Sequence, residues 1–201
     1  SDPEASPTPP LPQSAMVIPA PVDGAAVLRP SPCADPAVTA ALADGADAEV
    51  IAAVGGGARF REVIVNGEAP CIPLDDADRG WVVVNKARPF TELEYAPSDL
   101  AAPAVQSLNG HQLRGDAQRA LDLMADASVA SGAGRIALLS GYRSYGLQVS
   151  VHERMLAAEG REQTEATSAR PGYSEHQTGL AADLVACDGG CGSMDDFGGT
   201  P

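Results

Sequence analysis

The stretch from Ser168 to Asp183 reads Ser-Ala-Arg-Pro-Gly-Tyr-Ser-Glu-His-Gln-Thr-Gly-Leu-Ala-Ala-Asp. It sets a histidine, His176, seven positions before an aspartate, Asp183. A neutral imidazole and a carboxylate are two ligand types that a catalytic zinc ion accepts, beside a third protein ligand and a water. Gly172 and Gly179 permit tight backbone geometry on either side of the histidine. Beyond them the chain turns apolar, and Asp183 falls inside Leu180 to Val185, where strand alternation puts it on the face of Ala181 and Val185. A carboxylate there is costly to bury without a cation or a hydrogen-bond network. A metal meets that need, and so does an arginine partner. The plainer reading of His176 is a solvated side chain in a polar loop, and spacing leaves both readings open.

Arg143, in Ser140-Gly-Tyr-Arg-Ser144, is the second candidate. Just past a strand end, its guanidinium could grip a carboxylate with two parallel bonds or stabilise the oxyanion of a peptide-bond transition state. An ordinary surface arginine is the alternative. His152, beside Glu153, reads as part of a solvated helix face, and His111 as a loop residue.

These residues need a scaffold. Trp81 to Val84 reads as a short buried strand. Leu113 to Ser131 carries Leu113, Ala117, Ala120, Leu121 and Met124 at the three-and-four spacing of an amphipathic helix, closed by Gly132 and Gly134. Ile136 to Leu139 reads as a strand feeding Arg143. Gly146 to Glu159 reads as a helix with Leu147, Val151, Met155 and Leu156 inward and Gly160 beyond its end. The histidine loop follows, then a strand over 180–186. Helices and strands mix without regular alternation or repeat, which predicts an α+β domain with an antiparallel sheet and flanking helices over 81–201.

Two segments precede it. Residues 1–32, rich in Pro, Ala and Ser, read as a flexible or polyproline-like tether. Residues 33–80 read as a small appended module. In it, Asp35-Pro36 starts a helix over 36–43, and a second helix begins at Asp47 and ends at Gly55-Gly56-Gly57. Phe60 to Val65 alternates like a strand ahead of an Asn66-Gly67 turn.

Of 201 residues, 44% are hydrophobic but only 4% aromatic, so the core must rely on Ala, Val and Leu. A net charge of -14 argues against nucleic acid or an anionic membrane surface as partner. No apolar run is long enough to span a bilayer. The four cysteines allow three pairings, and sequence does not select among them. The pairing favoured here is Cys33–Cys71 with Cys187–Cys191, in an oxidising compartment. Its rival makes Cys187 and Cys191 metal ligands or free thiols.

From about Trp81 to Asp183 the chain resembles the VanY-like D-alanyl-D-alanine carboxypeptidases, a family of zinc D,D- and L,D-carboxypeptidases. Val83-Val-Asn-Lys-Ala-Arg-Pro89 looks like the family's entry strand. Ser140 to Ser144 with Gln148, and Ser168 to Asp183, look like its two active-site segments. The resemblance implies a Hedgehog/D,D-peptidase-like fold, zinc held by His176 and Asp183, and Arg143 at the reacting group. It places Tyr142, Ser144, Gln148 and Ser174 near the terminal residue of a peptidoglycan stem peptide. It also implies an exported protein acting at the cell wall.

The family takes a third zinc ligand and a general-base glutamate from a later Glu-x-x-His segment, and no residue here maps onto either. The expectation is therefore a fragment of a longer enzyme, lacking its last strands and inactive alone. Ligands supplied by a second polypeptide are one alternative, and a non-catalytic peptidoglycan-binding module is another. The choice between D,D- and L,D-specificity stays open.

Overall fold

The computed structural model describes residues 30–194. The tether assigned to 1–32 therefore lies almost wholly outside the described residues. Three short helices come first, α1 (Pro36–Asp44), α2 (Asp47–Val54) and α3 (Gly57–Val65). The Asp35 carboxylate accepts the Ala37 N–H at 2.8 Å, and Pro36 occupies the first turn, where a missing N–H costs nothing. Gly55, at φ 113°, ends α2 in the left-handed region.

The strand expected over 60–65 is instead the second half of α3. Phe60 and Val63, one helical turn apart, are both buried with Val38, Val50, Val54 and Ile72. Arg59 pairs with Glu62 at the same spacing. Burial of one helical face outweighs the strand preference of Val63-Ile64-Val65. A disulfide joins Cys33 to Cys71 at the edge of this core. The Trp81 ring packs on Phe60 with centroids 5.1 Å apart, and its indole N–H donates to the Pro73 carbonyl.

Trp81 to Val84, expected as a strand, joins no sheet. The Val83 N–H donates to the Leu74 carbonyl, and Asn85 and Arg88 then close a tight turn on each other. An extended segment becomes a strand only where a neighbour offers a ladder, and here the neighbours are turns.

Two antiparallel pairs follow among the described residues. β1 (Leu100–Ala101) pairs with β2 (Leu113–Arg114), and β3 (Ile136–Ser140) with β4 (Asp183–Ala186). Ala137 stands opposite Val185 and Leu138 opposite Leu184, so the β3–β4 ribbon is apolar on both faces. An irregularity between Leu138 and Ser140 then brings Ser140 opposite Asp183. Residues 106–108 run along the other edge of β3, bonding Leu138 through both its N–H and its carbonyl. These small sheets with flanking helices make the α+β class that the sequence predicts.

Helix α4 (Gly115–Ser131) starts two residues later than expected, because Leu113 and Arg114 belong to β2. Leu121 is buried, but Met124 is 47% exposed rather than inward. Helix α5 (Tyr145–Glu159) takes its cap from the Ser144 hydroxyl, which accepts the Leu147 N–H. Helix α6 (Arg161–Thr167) falls in the stretch read as loop. The strand expected over 180–186 begins only at Asp183, and the Leu180 N–H is taken by the Thr178 hydroxyl. A second disulfide, Cys187–Cys191, lies just beyond β4. No described helix is long and apolar enough to cross a membrane.

Two outcomes follow for stability. The 38-residue separation of Cys33 and Cys71 predicts that replacing both by Ser costs about 3–4 kcal/mol, read as a lower urea midpoint. Asp116 is held below the ordinary carboxylate range, first by its hydrogen bond from Arg114, with desolvation opposing. Its contribution is therefore fully present above the unfolded carboxylate pKa and is lost as pH falls through the lower folded value. Asp116→Asn should lower the melting temperature at neutral pH and flatten its decline on the acid side.

Candidate metal and peptide site

His176 sits in a 3-10 turn, Glu175–Thr178, directly before the apolar approach to β4. Its Nδ1 lies 2.8 Å from the Gly141 carbonyl. A carbonyl only accepts, so Nδ1 carries the proton and the lone pair is on Nε2. Nε2 lies 3.3 Å from Oδ2 of Asp183. Two lone-pair donors facing each other need a cation between them, either a proton or a metal. Ligands bonded to zinc at about 2.0–2.2 Å with tetrahedral angles stand about 3.4 Å apart, close to the separation seen. The donor set thus fits one edge of a zinc site. Among the described residues no third His, Cys, Asp or Glu completes a group able to hold a metal ion. The Asp183 side chain is 31% exposed, at the mouth of the ribbon rather than within it.

The carbonyl that seats His176 is held in turn. The Tyr142 N–H donates to the Gln112 carbonyl at 2.7 Å, and the Arg143 N–H to the His176 carbonyl at 3.1 Å. A Cβ on Gly141 would come within 2.5 Å of the Gln112 oxygen, so only glycine lets the chain pass there. That close approach explains the glycine in Ser-Gly-Tyr-Arg-Ser.

Behind this turn a fully buried side chain, Gln148 of α5, links three segments. Its Oε1 accepts from Nη1 of Arg143 at 3.0 Å, and its Nε2 donates to the Ala169 carbonyl at 2.6 Å and the Ser168 hydroxyl at 3.3 Å. Arg143 is thereby oriented while keeping donors free. Gln177, also fully buried, does the same for the far side of the histidine turn. Its Nε2 donates to the carbonyls of Leu93 and Tyr95. Tyr95 in turn donates its hydroxyl to Asp78, and burial with that bond pushes its phenol up to about 12.

These groups open on a cleft of about 610 Å³. Arg143, Gln148, Ser174 and His176 line it. Tyr142 and Ser144 do not line it. Burial pushes the Tyr142 phenol up, and the Ser144 hydroxyl is engaged as the cap of α5. Asp183 reaches the cleft only through His176. His152 departs from its reading as a solvated residue, since its Nε2 is shut off from solvent with no hydrogen-bond partner. Val151 and Met155, read as core, line the cleft instead.

Sequence reasoning missed Asn85, Lys86 and Glu175 among the residues that line the cleft. The signal for the first two was Asn85 itself. Its side chain accepts the Ala87 N–H at 2.9 Å, an Asx turn that argues against a continuing strand.

Residues 110–198 match the VanY family, described as D-alanyl-D-alanine carboxypeptidase. The putative carboxypeptidase YodJ of Bacillus subtilis (strain 168) is 36% identical over 111 residues, covering 53% of this chain and 40% of YodJ. Among solved structures, the LdcB LD-carboxypeptidase is 33% identical with a TM-score of 0.57, covering 62% of this chain and 60% of that one. A vancomycin resistance D,D-pentapeptidase VanY, solved in complex with Zn(II), is 30% identical with a TM-score of 0.41, over 52% and 60% of the two chains. The chain thus spans less than two thirds of these relatives. The matched family segment contains Arg143, Gln148, Ser174, His176 and Asp183.

The geometry around Gly141 generates a test independent of any ligand. Gly141→Ala must displace either the Gln112 backbone or the carbonyl under His176. It should lower stability by about 1–3 kcal/mol and speed solvent exchange of the His176 Nδ1 proton in NMR. Unchanged exchange would mean that the imidazole is not seated on this carbonyl.

Proposed function

We propose, from the VanY-like character of residues 110–198, that this chain carries the substrate cleft and two zinc ligands of a carboxypeptidase. Its substrate is the peptidoglycan stem peptide, from which it removes a terminal D-alanine. The observation that carries the reading is the edge formed by His176 Nε2 and Asp183 Oδ2, 3.3 Å apart, with the ring oriented by the Gly141 carbonyl. Such a carbonyl fixes the tautomer of a metal-binding histidine and raises its basicity.

His176 and Asp183 are the residues that would hold zinc. The chemistry zinc supplies there is polarisation of the scissile carbonyl and activation of water. The remaining steps belong to side chains of this protein. Arg143, oriented by Gln148, presents guanidinium donors to the cleft beside His176 and stabilises the negative charge that develops on the carbonyl oxygen. Gln148 itself is committed to Arg143, the Ser168 hydroxyl and the Ala169 carbonyl, so it positions Arg143 rather than touching the peptide. Ser174 lines the cleft, and its hydroxyl would orient the peptide. Ser144 acts indirectly, by fixing the start of α5 and hence Gln148. An extracellular or wall-associated location follows from this substrate and agrees with the two disulfides.

In the zinc-loaded active protein, Asp183→Ala should abolish D-alanine release from a stem pentapeptide while circular dichroism stays native. Calorimetry should show weakened zinc binding in both Asp183→Ala and His176→Ala. Undiminished turnover by Asp183→Ala would sink the zinc assignment. Stem-peptide binding with no release under any metal loading would favour a non-catalytic wall-binding module.

A further inference from the structure

A carboxypeptidase differs from an endopeptidase in reading the free carboxylate at the end of its substrate, and an anion in a cleft calls for a fixed cation. The cleft offers two standing cations, Arg143 and Lys86. Arg143 lies beside the metal edge, its N–H bonded to the His176 carbonyl, and is thereby assigned to the reacting carbonyl.

Lys86 is held differently. Its Nζ donates to the carbonyls of Glu165, at 2.9 Å, and Ala166, at 2.7 Å, at the C-terminal end of α6. Those acceptors carry partial charge only, so they hold the ammonium in place without neutralising it. An ammonium has three donors, and two are used. Acidic residues outnumber basic ones 27 to 13, yet no described carboxylate pairs with Lys86, whereas Arg59, Arg79, Arg114 and Arg170 all have such partners. The backbone on both sides of Lys86 is stiffened by the Asn85–Arg88 turn and the Asn85 side-chain bond to Ala87.

We infer that Lys86 is the specificity-determining cation of the cleft, binding the C-terminal carboxylate of the peptide through its remaining N–H while α6 holds the ammonium in place. The inference rests on the carboxypeptidase reading and assigns it a terminal-carboxylate contact. A lysine that merely tethered α6 would affect all ligands alike. A carboxylate-binding lysine affects only those with a free terminus.

The test uses the full chain with added zinc and two probes, diacetyl-lysyl-D-alanyl-D-alanine and its C-terminal amide, with affinities from calorimetry. The wild type should prefer the acid by about 10- to 100-fold, the range of one charge-assisted hydrogen bond. Lys86→Met should bring the ratio near one, and Lys86→Arg should retain most of it. In the wild type, the Lys86 ammonium resonance should shift with the acid and not with the amide, a readout that needs no variant to fold. An acid preference undiminished in Lys86→Met overturns the inference and leaves the carboxypeptidase reading standing, as does an unmoved ammonium resonance in a protein that binds the acid. Failure of the wild type to bind either peptide overturns both.

Discussion

The hydrogen bond from His176 Nδ1 to the Gly141 carbonyl ties two distant stretches of chain into one site. It sets the tautomer that leaves Nε2 facing Asp183, and it fastens the turn carrying Arg143 to the turn carrying His176. A second bond runs the other way, from the Arg143 N–H to the His176 carbonyl. The two segments therefore hold each other in register like strands of a sheet, although neither is a strand there. The glycine requirement follows, since any side chain at 141 meets the Gln112 oxygen.

Around that junction the polar interior is organised by two glutamines. Gln148 and Gln177 are both fully buried; Gln177 donates to the Leu93 and Tyr95 carbonyls, and Gln148 bonds the Ala169 carbonyl, the Ser168 hydroxyl and Arg143. A buried amide is costly unless bonded, so its presence specifies one loop arrangement over others. The unpartnered Oε1 of Gln177 is the incomplete member of this arrangement. Rigid supports of this kind let a cleft built largely from loops keep a defined geometry.

The segment that follows the first three helices shares this logic. Arg114, nearly buried beside Gly179, reaches to the carbonyls of Ala77 and Asp78 while Asp116 balances its charge. Asp78 in turn receives the Tyr95 hydroxyl, and the Tyr95 carbonyl receives Gln177. A continuous polar path thus runs from the segment after the helices to the histidine turn. Ala77 and Asp78 are thereby structurally coupled to the site without lining it.

What the sequence determined by itself is local and chemical. Asp35-Pro36, Gly55, Gly132 and Gly160 mark helix ends because capping and left-handed geometry depend on nearby residues only. Apolar runs at 136–139 and 180–186 mark the central ribbon because both its faces are covered, although the second strand begins only at Asp183. The candidate ligands and Arg143 stand out because their residue types carry the chemistry and glycines surround them. Tertiary structure alone decided the rest. Phe60 to Val65 is helical because Trp81 and Val50 offer a core to one helical face, and Trp81 to Val84 stays unpaired for want of a partner strand. Met124 is exposed although its spacing groups it with the buried Leu121. Lys86 lines the cleft because its ammonium finds the end of α6, some 80 residues away in sequence. Contacts at that separation leave no periodic trace in a chain, since they depend on where whole elements dock and not on the spacing of neighbours.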